Sequence, residues 1–107
     1  MISENRVTKA LKYLAETDLE CATAKGLMVG LDEQRKSLRA VLMAESRETS
    51  VAAKEVEALA SSRYQEHISR YQDAVAEYEA MRNKRLTETL IIDVWRSENA
   101  NRRTGNI

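Results

Sequence analysis

The side chains of this sequence that could do chemistry are concentrated near its C-terminal end, where six basic residues accompany the only tryptophan. They are Arg82, Lys84, Arg85, Trp95, Arg96, Arg102 and Arg103. Guanidinium and ammonium groups bind phosphate, and an indole ring stacks on bases. The set is therefore a candidate nucleic-acid or partner-binding site. A structural role is the alternative, because cations near the C-terminal end of a helix complement its dipole.

The sequence contains no pattern typical of an enzyme or a metal site. His67 is the only histidine and Cys21 the only cysteine, whereas a zinc site needs three or four ligands. There is no glycine-rich phosphate loop, no nucleophile elbow and no HExxH sequence. We therefore expect a protein that is not an enzyme and has no catalytic residues, no cofactor and no metal ion.

The net charge is zero, with 17 basic and 17 acidic residues, and this does not favour a dedicated nucleic-acid-binding protein. The charge is unevenly distributed, however. Residues 82–107 carry six basic and three acidic side chains, whereas residues 45–81 carry four basic and eight acidic ones. Any electropositive surface is therefore expected in the last quarter of the sequence.

The composition predicts helix, since the sequence has no proline, three glycines and many strong helix formers. A seven-residue pattern, typical of a coiled-coil-like helix, runs from about residue 3 to about residue 45. Its two columns are Val7, Leu14, Cys21, Met28, Arg35 and Leu42, and Ala10, Thr17, Ala24, Leu31, Leu38 and Glu45.

Poor interior helix residues at 46–50 predict a turn, followed by a second helix over about 51–98 and a flexible tail over 99–107. The apolar residues of the second helix drift toward a spacing of four, so its buried face should shift slowly around the helix. They are Val56, Leu59, Tyr64, Ile68, Tyr71, Val75, Tyr78, Met81, Leu86, Leu90 and Val94. The tyrosines could stack on bases, but a core stripe is the favoured interpretation because Ile68 and Val75 share their face.

The sequence therefore predicts a single all-α domain over 1–107, a long antiparallel helical hairpin. The alternative is a three-helix bundle broken near Gly26 and Gly30. The seam, which is the line along which the two helices pack, buries little apolar surface, and other apolar residues lie off it. We therefore expect a homo-oligomer, a dimer or higher. With no signal peptide and no apolar run of about 20 residues, a cytoplasmic protein without membrane contact is expected.

Three pieces of the sequence, "VTKALKYLAETD", "YEAMRNKRLTETLIIDVWRSENANRR" and the ending "TGNI", resemble a group of small all-helical proteins encoded by tailed phages and prophages. Genes of this group tend to lie among phage genes for DNA recombination and replication. The resemblance spans nearly the whole length but carries over no functional residue. It implies a setting in the cytoplasm of the host cell.

Two functions are compatible with these observations. The first is a non-enzymatic phage accessory protein in DNA recombination or replication, which binds single-stranded DNA weakly or binds a recombination protein or nuclease. The second is an oligomeric protein–protein adaptor or assembly scaffold that makes no contact with nucleic acid. The zero net charge and the off-seam apolar residues favour the second.

Overall fold

The structure, a computed structural model, describes residues 1–105, and over this range it contains three α-helices and no strand. Helix α1 spans Glu4–Glu45, α2 spans Val51–Ala60 and α3 spans Ser62–Arg103. The all-α prediction is therefore confirmed. None of these three helices is both long and apolar enough to cross a membrane.

Helix α1 passes through Gly26 and Gly30 without interruption, so the alternative that placed a break there is wrong. An interior glycine costs only about 1 kcal/mol relative to alanine, which the packing of a long helix can offset. Nor does another part of the described chain pack closely on these glycines. Apart from the adjoining residues and the helix's own backbone, no atom of residues 1–105 lies within 4 Å of a Cβ built at either position.

The interruption lies instead at Ser61, between α2 and α3, within the range predicted as one helix over 51–98. The Ser61 Oγ accepts a hydrogen bond from the Tyr64 amide at 3.2 Å and donates one to the Ala58 carbonyl at 2.9 Å. The side chain thus replaces helical backbone bonds on both sides. Ser61 has an extended backbone, with φ −67° and ψ 148°, so it ends one helix and caps the next.

The predicted turn at 46–50 agrees with the structure, in which Ser50 caps α2 through a 3.1 Å bond from the Ala53 amide. The predicted flexible tail over 99–107 does not agree, since α3 continues to Arg103. Gly105, with φ 75°, follows the helix end, and its amide donates to the Arg102 carbonyl at 3.2 Å. A glycine in this conformation commonly terminates a helix. Residues 106 and 107 lie outside the described residues.

The described chain forms two compact units, and one of them is Thr23–Tyr78. Its helices run antiparallel, and the His67 Nε2–H donates to the Leu31 carbonyl at 2.7 Å across them. Tyr64 is buried and Tyr71 is half-buried, which agrees with the predicted core stripe. The buried residues of this unit are Leu31, Ala58, Tyr64, His67 and Ala74.

Arg35 is the polar residue of the predicted apolar column in this unit, and it finds partners there. Its Nη2 donates to Asp32 Oδ1, one turn earlier on α1, at 3.0 Å. The neighbouring Tyr64 hydroxyl and, to a lesser extent, the Asp32 carboxylate raise the pKa of Arg35 above its ordinary value. Arg35 therefore stays half-buried at its place in the apolar column of α1, although it is charged.

The other unit combines Met1–Ala22 with the described part of Glu79–Ile107. Its helices also run antiparallel, because Glu98 of α3 contacts Ile2, just before α1, whereas Glu88 contacts Arg6 and Arg85 contacts Leu14 within α1. The corresponding distances are 3.1 Å, 2.9 Å and 2.9 Å. The buried residues are Val7, Ala10 and Glu88.

The seam of α3 in this unit keeps the seven-residue period, so the predicted drift is wrong. Glu88 is buried and Arg85, Ile92, Trp95 and Asn99 are half-buried. By contrast, three residues that were expected to be buried, Leu86, Leu90 and Val94, are exposed. The period persists because Arg85 and Glu88 both find polar partners on α1.

Candidate functional site

The seven residues predicted as a binding site lie in the same unit but separate into two groups. Arg82, Lys84 and Arg85 lie on the middle of α3, and their side chains contact other residues of the protein. The second group lies on the last two turns of α3 and lines a cleft. The sequence prediction therefore combined two sets of side chains that have different surroundings.

Arg85 has a structural role and is not available to a ligand. Its Nη1 donates to the Leu14 carbonyl at 2.9 Å and to Thr17 Oγ1 at 2.6 Å, and its Nη2 donates to Asp18 Oδ1 at 2.5 Å. Only 22% of the side chain is exposed. A guanidinium offers five donors in a rigid fork, and here these donors join α3 to α1.

Lys84 and Arg82 are engaged more weakly. The Lys84 ammonium lies 4.5 Å from the centroid of the Tyr13 ring, a contact that stabilises by about 0.5–1 kcal/mol at an exposed site. Arg82 pairs with Glu79, one turn earlier on the same helix, at 3.6 Å. An exposed pair of this kind contributes only a few tenths of a kcal/mol. A ligand could therefore displace either contact.

The second group forms an open cleft of about 520 Å³. It is lined by Trp95, Arg96, Asn99, Arg102 and Arg103. Residues three, four and seven positions apart share one side of a helix, so the continuation of α3 to Arg103 brings these side chains together. The prediction of a flexible tail had left Arg102 and Arg103 without a fixed position.

Asn99 belongs to this cleft and was missed by the sequence analysis, which interpreted it as a helix-ending residue. It lies four residues after Trp95 and three before Arg102. With the second helix continued to Arg103, that spacing places Asn99 on the same side of the helix as Trp95 and Arg102. Its amide group adds a donor and an acceptor beside the three guanidinium groups.

The arginines of the cleft have no acidic partner among residues 1–105. Within residues 1–105, the ion pairs do not include Arg96, Arg102 or Arg103. The nearest acid in sequence to the two terminal arginines, Glu98, accepts a hydrogen bond from the Ile2 amide at 3.1 Å. The Arg102 Nη2 also contacts Met1 Sδ, an uncharged group. The cleft is therefore electropositive, and none of its three guanidinium groups is paired with a carboxylate of residues 1–105.

His67 and Cys21 belong to different units and have different surroundings. His67 is buried and bonded to the Leu31 carbonyl. Cys21 is half-buried and lines a smaller cleft of about 210 Å³ beside Arg82 and Arg85. Within residues 1–105, no group of three or more potential ligands could hold a metal ion.

Comparison with models of protein families, with curated proteins and with solved structures finds no match to this chain. The resemblance to phage-encoded proteins therefore stays a prediction. The arguments about function that follow are based on the geometry of the described residues.

Proposed function

We propose that this chain is a non-enzymatic accessory protein that binds single-stranded DNA weakly through the cleft around Trp95. The observation that supports this proposal is the association of an indole ring with three arginines that have no acidic partner within residues 1–105. The resemblance to phage proteins suggests phage recombination or replication as the setting. In such a setting, a partner recombination protein or nuclease would act on the same DNA.

The cleft suits a single strand better than a duplex. Successive bases of a single strand are free to stack on an aromatic ring, whereas the bases of a duplex are already stacked on each other. The guanidinium groups of Arg96, Arg102 and Arg103 would contact the phosphates on either side of the stacked base. Because the site has three arginines and the net charge of the chain is zero, the binding should be weak and sensitive to salt.

The matched pair of variants for the test is Arg102→Ala/Arg103→Ala in the cleft and Arg47→Ala/Arg70→Ala in the unit Thr23–Tyr78. Both remove two exposed arginines. The affinity for a fluorescein-labelled oligothymidine would be measured by anisotropy at two salt concentrations. Each phosphate contact contributes roughly 0.7 logarithmic units between 1 M and 0.1 M salt, so the cleft variant should bind roughly 25-fold more weakly at 0.1 M.

The control variant has the same net charge as the cleft variant but leaves the cleft intact, so it should bind like the wild type. Equal losses in both variants would mean that bulk charge, and not the cleft, attracts the DNA. Unchanged binding in the cleft variant would contradict the assignment of the site.

An oligomeric scaffold without nucleic-acid contact is the second candidate function, and the exposure of large apolar residues favours it. Leu19 is 79% exposed, and Val51 and Val56 are also largely exposed. Self-association would cover such residues. Light scattering at increasing protein concentration tests this function. A monomer mass at every concentration would exclude a stable oligomer.

A further inference from the structure

The side of α3 that faces α1 continues beyond the end of α1 in the unit that contains Met1–Ala22. Its positions recur at spacings of three and four, and they are Arg85, Glu88, Ile92, Trp95, Asn99 and Arg102. Glu98 lies opposite Ile2, and α1 begins only at Glu4. Among residues 1–105, no helix therefore lies opposite Asn99 and Arg102. The side of α3 that packs on α1 elsewhere lines the open cleft of about 520 Å³ here.

Asn99 occupies the centre of this cleft. Trp95 and Arg96 precede it by four and three residues, and Arg102 and Arg103 follow it by three and four. Residues at these spacings are neighbours on a helix surface, so Asn99 adjoins all four other lining residues. Trp95 and Asn99 are separated by about 6 Å along the helix axis, at roughly 1.5 Å per residue. A base that stacks on the indole ring therefore has one edge beside Asn99.

The side-chain amide of Asn99 is available to a ligand. At this end of the unit, Glu98 bonds Ile2 and Arg102 contacts Met1, whereas no hydrogen bond within residues 1–105 involves the Asn99 side chain. The residue is half-buried, and its amide carries an acceptor oxygen beside a donor NH2 group. The cleft therefore offers an adjacent donor and acceptor in addition to the positive charge of its three arginines.

We propose that Asn99 recognises the base that stacks on Trp95 and gives the cleft a preference for adenine. This inference rests on the proposed binding of single-stranded DNA. The amide oxygen of Asn99 accepts a hydrogen bond from the 6-amino group of adenine, and the amide NH2 donates to the neighbouring N7. On the corresponding edge, guanine presents two acceptors, cytosine a donor alone, and thymine an acceptor beside a methyl group. Adenine is therefore the base whose edge pairs with both groups of the amide.

The probes for the test are short DNA strands that carry a single base, at the centre, and abasic sugars at every other position. The central base is adenine, thymine or unsubstituted purine. Purine keeps both rings of adenine but lacks its 6-amino group, so the comparison separates hydrogen bonding from stacking. Quenching of Trp95 fluorescence in the full chain at low salt gives the affinities. The adenine strand should bind at least about fivefold more tightly than the purine strand, because one bidentate pair discriminates between bases by at least this factor.

Two variants locate the recognition at Asn99. Asn99→Ala removes the amide from the centre of the cleft, so the adenine and purine strands should bind equally, while the purine strand binds as it does to the wild type. Asn101→Ala removes the same group at an exposed position that does not line the cleft, and it should keep the preference for adenine. Alanine is a better helix former than asparagine, so both variants should fold, which circular dichroism verifies.

The outcomes separate this inference from the binding of DNA at the cleft. Saturable binding of the thymine and purine strands supports the proposed function and does not depend on Asn99. Equal affinity of the wild type for the adenine and purine strands would overturn the inference alone, as would a preference for adenine that persists in Asn99→Ala. An equal loss of affinity for all three strands in Asn99→Ala would also overturn it, because the amide would then contact the backbone that the strands share. No saturable quenching by any strand would overturn both proposals.

Discussion

The two compact units use the same seven-residue period to bury different kinds of side chain. In Thr23–Tyr78, the buried residues of α3 include Tyr64, His67 and Ala74. In the unit that contains Met1–Ala22, the equivalent positions of α3 include Arg85 and Glu88, which bond to α1 through polar groups. The leucines of that stretch are therefore exposed, together with the arginines of the cleft. A seam that buries polar pairs leaves apolar and basic groups at the surface, where a partner can reach them.

The largest effect should come from a matched pair of leucine truncations, one in each unit. Leu31→Ala removes a side chain that is 4% exposed and should lower the free energy of unfolding by about 2–3 kcal/mol. Leu86→Ala, at an exposed position, should cost under about 0.5 kcal/mol. Chemical denaturation measures both. Similar losses in the two variants would mean that Leu86 is buried in solution and that the comparison between the units is wrong.

Truncation of Arg85 should be the next most costly change. Arg85→Ala removes three hydrogen bonds to α1 and should lower the free energy of unfolding by about 1.5–2 kcal/mol. The control is Arg103→Ala, which removes the same side chain from the exposed helix end and should cost almost nothing. An Arg85→Ala protein as stable as the control would show that the polar seam contributes little.

The interruption between α2 and α3 gives a smaller effect. Ser61→Ala removes a hydroxyl that caps α3 and also bonds the last turn of α2, and the expected loss is about 1 kcal/mol. Ser69→Ala, at an exposed position inside α3, serves as the control and should change stability by a few tenths of a kcal/mol. If both serines can be replaced without loss, the hydroxyl of Ser61 does not determine the interruption.

The smallest effect should be a gain in stability. Gly26→Ala adds a methyl group where, apart from the adjoining residues and the helix's own backbone, no atom of residues 1–105 lies within 4 Å, and such a replacement stabilises a protein by about 0.4–1 kcal/mol. We expect the midpoint of urea denaturation to rise. A lower midpoint would indicate that a partner or second copy packs closely on this glycine.

Much of the fold could be predicted from the sequence because the apolar period of α1 is regular. Val7, Ala10 and Leu31 are buried at positions that the period predicts. The pattern of α3 was misleading, since Leu86 and Leu90 suggested a shift in the buried face. Only the partners of Arg85 and Glu88, which lie far away in sequence, reveal why those positions face α1.

The candidate site was also predictable in part. The type of residue identified Trp95, Arg96, Arg102 and Arg103, all of which line the same cleft. Residue type alone could not separate them from Arg85. An arginine that is bonded between two helices and an arginine that is exposed at the surface cannot be told apart in the sequence. The end of α3 was misplaced because Asn99 and Asn101 suggested a stop that Gly105 provides.

The fluorescence of Trp95 tests the central claim most directly, because it is the only tryptophan and it lines the proposed DNA-binding cleft. Titration of unlabelled oligothymidine into the wild-type protein at low salt should quench the emission in a saturable way, since a base stacks on the indole ring. Quenching should weaken at higher salt and in Arg102→Ala/Arg103→Ala. An emission spectrum that does not change with oligothymidine, or quenching that is equal in the wild type and the variant, would contradict the account.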